Sequence, residues 1–283
     1  MVYHRDEQVA LLNEDLMGEH QAIVHYLTHA WTVVRQFGPH IEAIARDEMR
    51  HFKWLAQTIV ALGGVPDLTP PALLPAFSGL QALDYDIDAE EEAISQYLAH
   101  QRTIAQEGVQ QLLGRIVVDE KDHRRQFIHL RETWLHTNRP DPAKTVEDSN
   151  GQRFQSVVSQ EYREILHLLM KSFISGHLRE VGLTAEDRAI EAMQHLSWMA
   201  EAMADQGGQP CLSLPTRSID AGAMTAYQEL QRWARDNMAP LVPVIERLIA
   251  HEQYHRRVVH GPRWTVGANA QGKWDDHGYL ESR

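Results

Sequence analysis

The stretch Glu48-Met49-Arg50-His51 decides how this chain is read, because its Glu-x-x-His pattern returns as Glu120-Lys121-Asp122-His123 and as Glu252-Gln253-Tyr254-His255. On an α-helix, residues three apart lie about one turn along the axis and roughly 60° around it, so a carboxylate and an imidazole project from one stripe. Two such helices facing each other can hold two metal ions.

Working outward from Glu48, apolar residues recur at helical spacing over 41–62, and Gly63-Gly64 with Pro66 beyond ends that helix. Before it, Val9, Leu12, Leu16, Ile23, Leu27 and Val34 mark a helix over 7–37, stopped by Gly38-Pro39. After it, the Pro-rich stretch 65–83 has no clear period, and helices follow over 85–106 and 109–135. Two tightly joined helices, a long crossover and two more helices make an all-α four-helix bundle with one long connection. No strand pattern competes.

Residues 138–151 are polar and read as a linker. Beyond it the chain repeats itself, which signals a duplicated architecture. Shifted by 142, Glu19, Ile23, His25 and Leu27 meet Glu161, Ile165, His167 and Leu169. Shifted by 144, Met49, His51, Trp54, Gly63 and Gly64 meet Met193, His195, Trp198, Gly207 and Gly208. Shifted by 132, Arg115, Glu120 and His123 meet Arg247, Glu252 and His255. The expected domains are a bundle over 1–137, the linker, a second bundle over 152–260 and a polar tail over 261–283.

A di-metal carboxylate bundle needs two Glu-x-x-His motifs and one further Glu from each of the other two helices. Glu48, His51, Glu120 and His123 supply the motifs. Glu19 shares its stripe with Ile23 and Tyr26, and Glu90 is in phase with Ala93, Ile94 and Tyr97, so these two complete the set. Four buried carboxylates repel one another and lose hydration unless they hold protons or cations, and two divalent ions balance them. Oxygen and imidazole donors without thiolate suit iron(II) or manganese(II) and leave zinc open, since donor type alone rarely selects the metal. His20, His25 and His29 read first as satisfied structural histidines, with a role in supporting metal ligands as the alternative because His25 recurs as His167, and Trp31, Trp54 and Trp198 read as packing.

In the second bundle Glu161, His195, Asp220, Glu252 and His255 form a weaker candidate site. Ala192 stands where the first bundle has Glu48, so one carboxylate between the metals is missing.

Composition narrows the classes. Cys211 is the one cysteine, which excludes a disulfide within the chain, a four-cysteine metal site and a Cys-ligated iron–sulfur cluster. A net charge of −12 argues against nucleic-acid or anionic-membrane partners. The N-terminus shows no basic segment followed by an apolar run, and no stretch reaches the ~18 apolar residues of a membrane span, so a cytoplasmic protein is expected.

The stretches 12–30 (Leu-Asn-Glu-Asp-Leu-Met-Gly-Glu-His-Gln-Ala-Ile-Val-His-Tyr-Leu-Thr-His-Ala), Asp47-Glu48-Met49-Arg50-His51 and Gly63-Gly64-Val65-Pro66-Asp67-Leu68 resemble the bacterioferritin and rubrerythrin branch of the ferritin-like superfamily. The resemblance implies two tandem ferritin-like four-helix bundles. It implies Glu19 and Glu90 as terminal iron ligands, Glu48 and Glu120 as bridges, and His51 and His123 as one imidazole per metal. Met49 matches the haem-ligating methionine of bacterioferritins, but haem is not expected. The rubredoxin-like iron site of rubrerythrins cannot be built from one cysteine, and a second bundle stands where a bacterioferritin has its short fifth helix.

The implied activity is a di-iron oxidoreductase using O2 or peroxide as ferroxidase, peroxide reductase or oxygenase of a small organic substrate. The alternative is a non-catalytic iron-binding or storage protein. The two bundles are expected to pair as an internal pseudo-dimer, with a homo-oligomer possible.

Overall fold

The computed structural model describes residues 5–73, 75, 77–137, 148–176, 179–214 and 223–260. The described residues form eight α-helices and no strand, and none of these helices is long and apolar enough to cross a membrane. The chain divides into two compact units, Met1–Lys144 and Thr145–Arg283. Residues 138–147 of the expected linker and the whole 261–283 tail lie outside the described residues, whereas 148–151 are helical, so the second unit's first helix begins inside the stretch expected to be linker.

In the first unit α1 spans Arg5–Trp31, α2 Gly38–Ala61, α3 Gly79–Thr103 and α4 Glu107–Thr137. The helices pack chiefly as the pairs α1 with α2 and α3 with α4, and α1 meets α3 while α2 meets α4 across the bundle. Leu12, Leu16, Ile41, Ile44, Leu55, Ile59, Leu83, Leu113, Ile116 and Phe127 are buried between them. Each fully buried aliphatic or aromatic side chain contributes about 1.5–3 kcal/mol.

Two helix ends differ from the expected ones. Helix α1 ends at Trp31, a 3-10 turn covers Arg35–Phe37, and Gly38-Pro39 opens α2 instead of closing α1. Proline fits there because the first-turn N–H groups have no intrahelical acceptor in any case. Helix α3 begins at Gly79 rather than near 85, because Ser78 and Gln81 form a capping box: Ser78 Oγ accepts from the Gln81 N–H and Gln81 Oε1 from the Ser78 N–H.

Helix α2 stops where Gly63 adopts φ 73°, with Gly64 N–H bonded to Ile59 O at 2.9 Å and Gly63 N–H to Val60 O at 2.8 Å. Only glycine takes that left-handed backbone without strain. The crossover that follows is tied to α1. Asn13 donates to Val65 O and accepts from the Asp67 N–H, while His20 and His25 bond the backbone of Thr69 and Ala72.

The second unit comprises α5 (Asp148–Ile174), α6 (Arg179–Asp205), α7 (Ala223–Asn237) and α8 (Val242–His260). Here α5 packs on α6, α7 on α8 and α5 on α7. Gly207, with φ 77°, ends α6 as Gly63 ends α2.

Candidate metal centre

Each helix of the first unit sends candidate ligand side chains inward: Glu19 from α1, Glu48 and His51 from α2, Glu90 from α3, Glu120 and His123 from α4. All six are buried, none more than 4% exposed. They form two overlapping groups, Glu19, Glu48, His51 and Glu120, and Glu48, Glu90, Glu120 and His123, whose ligand atoms lie within 4.8 Å of one another.

The overlap has a definite geometry. His51 Nδ1 lies 3.0 Å from Glu48 Oε2, 3.0 Å from Glu120 Oε1 and 3.6 Å from Glu19 Oε2. His123 Nδ1 lies 2.9 Å from Glu48 Oε1, 3.6 Å from Glu120 Oε2 and 3.9 Å from Glu90 Oε1. Glu48 and Glu120 therefore each turn one oxygen toward either histidine, whereas Glu19 and Glu90 each serve one side.

The donor set fits a pair of divalent cations. Neighbouring ligand atoms about 2.1 Å from an octahedral ion sit about 3 Å apart, close to the shortest N···O separations here. Glu90 Oε2 is buried with no hydrogen-bond partner, a position that costs about 1–3 kcal/mol unless a proton or cation satisfies it.

Electrostatics agree. Burial, and then the neighbouring carboxylates, push the Glu19 and Glu90 pKa values well above the usual carboxylate range. Burial alone would raise Glu120 as well, but hydrogen bonds from His123 and His51 hold it down near 2. Burial alone would lower the two imidazoles, yet the surrounding glutamates raise both, His123 to about 10. Without cations the cluster keeps protons on several of its groups.

Other side chains hold the six in place. His51 Nε2 meets Asp119 Oδ2 at 3.2 Å, and Asp119 Oδ1 accepts from Arg115 at 2.5 Å. Across the bundle His123 Nε2 faces Asp47 Oδ2 at 3.5 Å, and Asp47 accepts from Arg50. A proton on each Nε2 leaves Nδ1 free as the metal donor. The Tyr26 hydroxyl donates to Glu90 Oε1 at 2.7 Å, and the Tyr97 hydroxyl donates to Glu19 Oε1.

Sequence reasoning missed these partners, and an internal repeat would have found them. At an offset of 71, Asp15, Glu19, Tyr26 and His29 match Asp86, Glu90, Tyr97 and His100; at 72, Asp47, Glu48 and His51 match Asp119, Glu120 and His123. The first unit is thus one helix pair written twice.

The ferritin-like domain model matches residues 9–134, within the first unit. A solved structure described as a ferritin-like, diiron-carboxylate protein from Bacillus anthracis str. Ames is 30% identical to the chain. The match covers 99% of that protein and 46% of this chain, with a TM-score of 0.43. This chain belongs to the ferritin-like family. No curated protein matches it.

The second unit, which lies outside the matched residues, gathers fewer such groups among its described residues. Glu161 and His195 are buried, with Glu161 Oε2 3.6 Å from His195 Nδ1, and burial raises the Glu161 pKa. Buried Ala192 occupies the Glu48 position and Glu252 lies on α8, half-buried. Asp220 and the side chain of His255 lie outside the described residues. At the counterpart of Asp119 stands His251, whose Nδ1 is 3.0 Å from His195 Nε2. Among the described residues, the second unit brings no three ligand atoms together as the first does.

Proposed function

We infer that the ferritin-like bundle of the first unit is a two-metal oxidoreductase centre acting on O2 or peroxide. Glu19 and Glu90 are its terminal ligands, Glu48 and Glu120 its bridges, and His51 and His123 its two imidazoles. The observation that carries the reading is the division of both bridging carboxylates between the two histidines. A bound pair of iron ions would supply Lewis acidity and electrons to the oxidant. Manganese fits the same oxygen and nitrogen donors.

The chain contributes charge, position and exclusion of water. Four carboxylates balance two divalent ions, and their two oxygens allow the mode of attachment to change as metal charge changes. Tyr26 and Tyr97 anchor the carboxylates that each serve one side, while Asp47 and Asp119 fix the rings of the histidines. Buried Ile44, Phe52, Leu55, Ile116 and Phe127 line the same helices and keep bulk water out, which strengthens electrostatic effects inside.

The test is anaerobic loading with iron(II), followed by O2 and optical spectroscopy. The expected result is about two irons per chain that oxidise on mixing. No iron bound, or iron that stays reduced with both O2 and peroxide, overturns the reading.

A further inference from the structure

Two buried Asp–His pairs flank the metal centre without belonging to it. Asp15 Oδ1 and His100 Nδ1 are 2.7 Å apart, and at the symmetry-related place Asp86 Oδ1 and His29 Nδ1 are 2.8 Å apart. The pairs are alike in sequence and differ in what lies outside them.

The Asp86–His29 pair is sealed. Its side chains are 0% and 4% exposed, and the rings of Phe77 and Tyr85 cover His29 edge-on at 5.7 and 6.3 Å. At the position matching Tyr85, offset by 71, α1 carries Glu14. Glu14 is 61% exposed at its side chain, and its Oε2 stands 3.6 Å from His100 Nε2. One pair is capped by aromatic rings, the other by a carboxylate in water.

Inward, the open pair stands one helical turn from residues of the centre. Asp15 lies one turn before Glu19 on α1, and Tyr97, which donates to Glu19, lies one turn before His100 on α3. Asp15 Oδ1 also accepts from Gln96 at 2.9 Å, while Oδ2 is buried with no hydrogen-bond partner. We propose that Glu14, His100 and Asp15 form the path by which protons pass between solvent and the Glu19 side of the metal centre, while His29 and Asp86 are structural. This rests on the oxidoreductase reading above, since reduction of O2 or peroxide consumes protons.

The step moves protons only. His100 Nε2 takes a proton from water beside Glu14, and the Nδ1–H bond breaks as an O–H bond forms on Asp15. As the Asp15 O–H bond breaks, the Tyr97 oxygen takes that proton and passes its own along the existing hydrogen bond to Glu19 Oε1, and the imidazole turns to restore the starting tautomer. The electrons come from the metals or their external donor. Burial raises the Asp15 pKa against the lowering effect of His100 and Gln96, and the hydrogen bond to Asp15 raises that of His100, with Glu14 adding to both. The pair therefore retains a proton that an exposed carboxylate would lose.

The experiment compares the full chain with His100→Gln, Asp15→Asn, Glu14→Gln and His29→Gln, each loaded with iron(II) and mixed with O2 over a range of pH. The expected result is unchanged metal content in every variant and oxidation slower by about tenfold or more in His100→Gln and Asp15→Asn. Imidazole should restore the rate of His100→Ala, and His29→Gln should keep the parent rate while losing stability. Glu14 is exposed, so Glu14→Gln folds as the parent does, and a slower rate there supports the path even where a buried variant misfolds. Parent rates in His100→Gln and Glu14→Gln overturn the path alone, as does a His29→Gln as slow as His100→Gln. A parent chain that binds iron and never oxidises it overturns the oxidoreductase reading and the path together.

Discussion

The Tyr26 hydroxyl reaches from α1 to α3 and donates to Glu90 Oε1 at 2.7 Å. Tyr97 returns the same bond from α3 to Glu19 on α1. Each carboxylate that serves one side of the centre is thus held by the helix opposite its own. Tyr26→Phe should loosen Glu90 and weaken metal binding on the His123 side, at a stability cost of about 1–3 kcal/mol. Metal titration should show one of two sites weakened, with the other at parent affinity.

Glu48→Ala gives the first unit the residue that the second has at Ala192. The loss removes an oxygen from both sides of the centre at once, so both metals should bind more weakly and oxidation should fall by about a hundredfold or more. Iron per chain and the rate of O2 consumption check this. A Glu48→Ala chain with parent values would mean that the centre lies elsewhere.

Asp119 holds the ring of His51 through Nε2. Asp119→Ala should lower metal affinity about 10–100-fold, and Asp119→Asn less, because the amide oxygen can still accept from Nε2–H. Competition with a chelator of known affinity gives the two values.

Metal uptake should release protons. Glu19 and Glu90 are pushed up by burial and by their neighbouring carboxylates, and the carboxylates around His123 hold it near 10 against the effect of burial, so the metal-free centre is partly protonated at neutral pH. Cations displace those protons, and affinity should rise with pH by about tenfold per unit for each proton displaced. Calorimetric titration in buffers of different ionisation enthalpy counts them.

The crossover gives the fold its own pH dependence. Burial pushes His20 and His25 down to about 4, so both are neutral in the folded chain. Below about 6.5 the unfolded chain takes up protons that the folded chain refuses. Their contribution is complete above about pH 6.5 and is lost as pH falls toward 4, on the order of 3 kcal/mol each. Urea unfolding at pH 7, 5.5 and 4 should show this slope, and His25→Gln should reduce it.

The bundle was legible in the sequence because apolar periodicity and the repeated Glu-x-x-His act along a single helix, where spacing alone decides which residues share a face. Glu19 and Glu90 were legible by phase for the same reason. Asp47, Asp119, Tyr26 and Tyr97 were not recognised as partners because each acts on a residue of another helix, and a helical period says nothing of what stands opposite. The partners of His29 and His100 were hidden the same way, the aspartates lying on the facing helix. Gly38-Pro39 misled because it serves equally as a stop and as a first turn, and apolar spacing along the chain does not say which.

The 71- and 72-residue offsets inside the first unit mean that each of its helix pairs brings the same three residue types to the cluster, Glu19, Glu48 and His51 from one and Glu90, Glu120 and His123 from the other. The first unit thus spells the same short word twice, so a change made in one helix pair has a built-in control at the matching position of the other.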